Sequence, residues 1–442
     1  MTKKLRWLGG VFLWLFVFLW LSRGVAIADP DALKAERARR ASELVKQNFH
    51  FTHGVVIDDG KSRHLEWMLG EHGDPSDPED DNAIALWFET ARGSVAVKLT
   101  DARGTVLTSW QARSGEQRLV GALPEGRYTL DVTPLDGATT INGLLAIQDA
   151  VIWPCDVDAA RVTEYPADPA HGYAWPYLLS RAARPSHKLL VVPVNTGLET
   201  DRVELLRSSA RCDVAWWRSF ADQMGADLLV PMLPRPKMAQ PDAHMYIHAL
   251  SRDALLAKPV ALARADRQLL AMIDSTSHRG ERVWLVGFSA AAMFVNRFTI
   301  LHPERVRAVA SISPGGWPIA PVATERGERL TYPVGIADLP QIDRPVDLTQ
   351  LRKVPQLFLI GANDTNDSMP YRDSHSEADA EIVNRLFGTT PVARWPAAQR
   401  IYEAARLDAK FTVYPDTGHE VTRKMMDDIA AKFAALDGQP GH

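Results

Sequence analysis

The chain has 442 residues, 46% apolar and 24% charged, the proportions of a globular protein with room for two or three domains. Its 50 basic and 54 acidic residues give a net charge of -4, without the basic excess that a nucleic-acid binder carries. Two cysteines, Cys155 and Cys212, exclude a disulfide scaffold and a four-cysteine zinc site.

Residues 1–28 read as a signal peptide. Lys3, Lys4 and Arg6 precede an uncharged apolar stretch over 8–21, and Ala26-Ile27-Ala28 offers small residues for cleavage before Asp29. An uncleaved anchor is the alternative, but the stretch is shorter than the ~20 residues of a membrane span. The expectation is a periplasmic or secreted protein with no stable membrane insertion once the leader is removed. In an oxidising compartment Cys155 and Cys212 can pair. Two buried thiols are the other reading, because sequence fixes no Cα separation.

Residues 29–149 form the first predicted domain. The charged, helix-forming composition of 31–47 predicts a solvated leading helix. Short apolar stretches at 83–88, 94–99 and 128–132 then alternate with Arg103-Gly104, Glu125-Gly126 and Asp136-Gly137. That texture predicts an antiparallel, β-sandwich-like domain. The acidic run 74–81 reads as a solvated loop, since EF-hand spacing is absent. His50 and His53 are not read as metal ligands.

Residues 150–442 change texture, with a boundary near 149–185. Stretch 188–194 is almost continuously apolar, as a buried parallel strand requires. Further strands are expected at 226–231, 282–287, 306–312, 356–361 and 410–414, with helical patterns between most of them, including 261–277. The alternation predicts an α/β class with a doubly wound, mostly parallel sheet.

Strand 282–287 runs into Gly287-Phe288-Ser289-Ala290-Ala291 and then a helical pattern. Small residues flanking a serine at a strand–helix turn form a nucleophile elbow of the Gly-x-Ser-x-Gly kind. The plainer alternative is that Ser289 merely caps the helix. An acid and then a histidine should follow. Asp364 lies just beyond strand 356–361, and His419 beyond strand 410–414, on the edge where open α/β sheets carry their sites. The expected roles are nucleophile for Ser289, general base and acid for His419, and orienting carboxylate for Asp364. Asp367 is the competing acid and Asp416 a weaker one. The Ala290 N–H is the first oxyanion donor by position; the Thr196 N–H or the Asn195 side chain is the second, unless that loop is only a tight turn built on Gly197.

Other candidates carry less. His244 and His248 stand at i, i+4, but no Glu completes the His-Glu-x-x-His pattern of a zinc site. Trp216, Trp217 and Trp317 line an acyl pocket or belong to the core. Stretch 319–353 is long for a connection, and a cap over the site is expected there.

On Gly287-Phe288-Ser289-Ala290-Ala291, Gly361-Ala362-Asn363-Asp364 and Gly418-His419, the chain from about 188 to 419 resembles the α/β-hydrolase superfamily, closest to secreted esterases of the polyhydroxybutyrate-depolymerase and feruloyl-esterase kind. Ala291 replaces the final glycine, and a His-Gly oxyanion motif is missing. The resemblance implies a Ser-Asp-His hydrolase that needs no cofactor. The leading expectation is cleavage of carboxylic esters in a small molecule or polymer. A prolyl-oligopeptidase-type serine peptidase and a non-catalytic binding protein on the same fold are the alternatives. Neither nucleic acid nor metal is called for.

Overall fold

The computed structural model describes Glu36, Arg37, Arg39, Arg40, Glu43 and residues 51–437, apart from 58, 70–82, 91–92, 114, 122, 124–125, 139–140, 148–150, 153–154, 156, 196–202, 236–246, 257–263 and 371–373. The leader, the acidic run 74–81, His50 and His244 therefore lie outside the described residues.

The first strands are β1 (Phe51–Ile57), β2 (Arg63–Leu69), β3 (Ile84–Thr90), β4 (Ser94–Asp101), β5 (Val106–Ala112), β6 (Glu116–Val120), β7 (Gly126–Leu135), β8 (Ile141–Ile147) and β9 (Val151–Ile152). They form two antiparallel sheets, ordered β1-β8-β3-β6 and β5-β4-β7-β2-β9. Alternate residues of each strand face a shared core: Ile84, Leu86, Phe88 and Leu145 from one sheet meet Trp67, Val97, Leu130 and Val132 from the other. The opposite faces of β3 and β8 are also buried, through Ala85, Trp87, Leu144 and Ala146. Five residues of the expected leading helix are described. Glu36, Arg37, Arg39, Arg40 and Glu43 are helical, the Arg40 guanidinium lies over the Trp87 ring at 5.6 Å, and Arg37 Nη1 donates to Asn142 Oδ1 at 3.0 Å. A cation over an indole face is attracted by the ring's quadrupole, so a charged helix can cover an aromatic outer face.

The second set comprises β10 (Val162–Tyr165), β11 (Tyr177–Ser180), β12 (Leu189–Val191), β13 (Asp227–Pro231), β14 (Val283–Phe288), β15 (Val306–Ile312), the short hairpin β16 (Thr324–Glu325) and β17 (Glu328–Arg329), β18 (Gln356–Gly361) and β19 (Ala409–Tyr414). Eight of these make one sheet, ordered β10-β11-β13-β12-β14-β15-β18-β19. The β10–β11 and β11–β13 pairs are antiparallel and the other five are parallel. Counted along the chain, that is the order 1-2-4-3-5-6-7-8 with the second strand reversed, the α/β-hydrolase arrangement. Buried strands such as β14, and β18 after Gln356, are apolar, because helices cover both faces of a doubly wound sheet. The helix Val203–Gln223 buries Leu206, Ala210, Val214, Trp217 and Ala221, a stripe at helical spacing. Cys212 on that helix forms a disulfide with Cys155, Cα–Cα 4.8 Å.

Sheet order also places the crevice. From β12 the chain crosses to β13 on one side, whereas from β14 it proceeds to β15 on the other. Neighbouring parallel strands whose connections leave in opposite directions open a cleft at their C-terminal ends. Asn195 follows β12 there, and Ser289 follows β14.

Candidate active site

Ser289 sits between the end of β14 and the helix Ala290–Leu301, at φ 56°, ψ -120°. A non-glycine residue in that region carries roughly 1–3 kcal/mol of strain. Its N–H donates to Ile312 O on β15 at 2.9 Å, which holds the turn in place. Although Ser289 occupies the helix N-cap, its side chain makes no capping bond. The hydroxyl is therefore not used as a cap, unlike an ordinary N-cap serine. Tight closure depends on Gly287, where a Cβ would lie 2.3 Å from Ala291 O.

The other two groups meet across the ends of β18 and β19. Ala362 N–H donates to Tyr414 O at 2.8 Å, and Asn363 N–H to Thr417 O at 2.9 Å. The loops approach so closely that a Cβ on Gly361 would stand 2.2 Å from Thr417 O. His419 Nδ1 then lies 3.0 and 3.1 Å from the two Asp364 oxygens. Asp364 is 3% exposed, and burial alone would raise its pKa. The hydrogen bond and charge of His419, with the Asn366 N–H at 3.0 Å, outweigh burial and hold the carboxyl below its ordinary value. An ionised carboxylate only accepts, so His419 Nδ1 is the donor in this contact. The His419 ring packs on Phe288, centroids 4.7 Å apart, immediately before Ser289. Phe288, Ser289 and Ala290 are partly exposed at the end of a buried strand. Such an arrangement can deprotonate a hydroxyl and hold a positively charged imidazole against a fixed carboxylate.

The two competing acids lie in different settings. Asp367 accepts two hydrogen bonds from the buried Arg394, each 2.8 Å. Asp416 is exposed at a turn with φ 53°. Of the proposed oxyanion donors, Ala290 opens the helix and Asn195 is half-buried, whereas Thr196 lies outside the described residues. His248 falls in a buried 3-10 turn, Ile247–Ala249, rather than on the α-helix that an i, i+4 ligand pair needs. Burial, followed by the charges of Arg235 and Arg297, drives its pKa well down. Trp317 is core: it stacks on Phe387 at 4.1 Å and donates to Val334 O. Trp217 is buried, while Trp216 is 57% exposed. Stretch 319–353 packs through Ala320, Leu330 and Val334 against Val383, Phe387 and Ile401.

Sequence reading missed the polar groups behind the site, chiefly Arg297, His375 and Ser368. Arg297 had a visible signal: it is the one charged residue of the helix Ala290–Leu301.

No family model and no curated protein matches the sequence. Among solved structures, it is similar to poly(aspartic acid) hydrolase-1 from Sphingomonas, at 17% identity and TM-score 0.41, over 61% of this chain and 97% of that one. It is similar to a poly(3-hydroxybutyrate) depolymerase from Bordetella parapertussis, at 20% identity and TM-score 0.38, over 63% and 90%. An S-formylglutathione hydrolase from Agrobacterium tumefaciens aligns at 11% identity and TM-score 0.38, over 63% and 95%.

Proposed function

We propose that the protein is an exported serine hydrolase of carboxylic esters. One observation carries the reading: a buried carboxylate bonded to Nδ1 of a histidine whose ring packs on Phe288, the residue before a strained serine that makes no capping bond at a strand–helix turn. Ser289 Oγ attacks the ester carbonyl while His419 Nε2 takes its proton. Asp364 holds the tautomer and stabilises the imidazolium. The Ala290 N–H, with Asn195 or Thr196, receives the oxyanion. His419 then protonates the departing alcohol, and water activated by the same imidazole releases the acid from the acyl-enzyme.

The leader-like segment at 1–28 motivates export. Among the described residues no helix is long and apolar enough to cross a membrane.

The test pairs a fluorophosphonate probe with p-nitrophenyl esters and peptide amides. Wild type should be labelled and should turn over esters, and Ser289→Ala should abolish both. Absence of labelling in the folded wild type sinks the reading. Turnover of amides without esters replaces it with a peptidase.

A further inference from the structure

The helix that begins at Ser289 carries Met293 and Arg297 on the same face, one and two turns further on. Arg297 is 1% exposed. Its Nη1 donates to Ala249 O at 2.7 Å and Ser374 Oγ at 3.0 Å, and its Nη2 reaches His375 Nε2 at 3.2 Å and Met293 Sδ at 3.7 Å. Among the described residues none of these partners is a carboxylate. A guanidinium buried without one is costly.

The His375 contact has a direction. Arginine only donates, so Nε2 must accept and Nδ1 must carry the proton. Nδ1 faces Ser368 Oγ at 3.4 Å, and that hydroxyl donates in turn to Gly315 O. Ser368 stands four residues beyond Asp364. On the other flank of the same loop, Arg394 grips Asp367 and donates to Gly316 O at 3.1 Å. The loop bearing Asp364 is thus held from two sides. The chain Arg297–His375–Ser368 ties it to the helix that carries Ser289.

We propose that Arg297, acting through His375 and Ser368, is a positioning residue that sets Asp364 and His419 in register with Ser289. This rests on the reading of those three residues as the reacting set. A misplacement of about 1 Å in such a set costs ~10²-fold in rate. Substrate contacts are untouched, so the loss should fall on kcat rather than KM.

His375→Leu breaks the chain, and His375→Gln retains an acceptor for Arg297 and a donor for Ser368. Ser368→Ala removes a single oxygen at the end of the chain next to the Asp364 loop and serves if His375→Leu does not fold. Two readouts are taken: p-nitrophenyl ester kinetics, and the low-field proton NMR signal of His419 Nδ1–H against Asp364. The expected result is kcat down ~10²-fold in His375→Leu with KM unchanged, recovery in His375→Gln, and a displaced His419 signal. Ser368→Ala should move both readouts in the same direction. An unchanged kcat and signal in a folded His375→Leu or Ser368→Ala overturns the proposal, as does a rise in KM alone. A wild type inert to esters and probe defeats the functional reading instead, and the NMR signal still decides whether the chain holds His419.

Discussion

The two sheet systems treat charge in opposite ways. Between Phe51 and Ile152 the buried polar residues are Thr90, Ser94, Thr100 and Asn142, and no described charged residue there is buried. From Val162 onward the buried set includes Asp227, Arg264, Asp266, Arg297, Asp364, Asp367 and Arg394. Among the described residues, the space between the two sheets of the sandwich is filled by apolar side chains. The parallel sheet instead leaves strand ends and loops where carboxylates meet basic side chains. Asp266, for example, accepts from both Arg264 and His302. Buried carboxylates are tolerated when paired, and pairing is also what lets a carboxylate stay ionised beside a histidine. Chemistry is expected in the region that can hold buried charge.

The sharpest test of that contrast separates a carboxylate expected to serve the reaction from one that serves the fold. Asp364→Asn should lower ester kcat by ~10⁴-fold with little change in the unfolding midpoint. Asp367→Ala should cost about 3–5 kcal/mol in urea unfolding, by stranding Arg394, with the smaller effect on kcat. The reverse pattern would exchange their roles. A second test addresses the sandwich. Trp67 is fully buried and stacks on Tyr128, ring centroids 6.1 Å apart. Trp67→Ala should cost about 3–5 kcal/mol of stability while the folded protein keeps its kcat. A matching fall in kcat would make the sandwich part of the site.

The smallest effect concerns acid. Burial would raise the Asp227 carboxyl, but His278, the Ala182 N–H and Arg181 hold it at about 2. A lowered folded value stabilises the protein above the ordinary carboxylate value of about 3.9, and that contribution is lost as pH falls towards about 2. The stability difference between wild type and Asp227→Asn should be constant above about pH 5 and shrink below it. A difference that stays flat down to pH 2 would contradict the assignment.

Much of the parallel sheet is legible in the sequence. Strands expected at 226–231, 282–287, 306–312, 356–361 and 410–414 are present as β13, β14, β15, β18 and β19, because buried parallel strands are nearly continuous apolar runs. The short turns after them put Ser289, Asp364 and His419 on one edge. The contact made by the leading helix was not legible. Charge along 31–47 suggested a solvated face, yet the Arg40 guanidinium lies over the Trp87 ring, and composition does not show which charged group meets an aromatic face.

By itself, then, the sequence determined the order of strands and the residues that end them, since both depend on neighbours along the chain. It left open which aspartate faces His419 and what happens to Arg297. Asp364 and Asp367 are three residues apart, and only the approach of Thr417 to Gly361 and of Arg394 to Asp367 separates them. Arg297 meets His375 across 78 residues of sequence. Contacts of that range are set by how helices and loops pack on the finished sheet, and no local pattern encodes a hydrogen bond whose two ends are brought together only by folding.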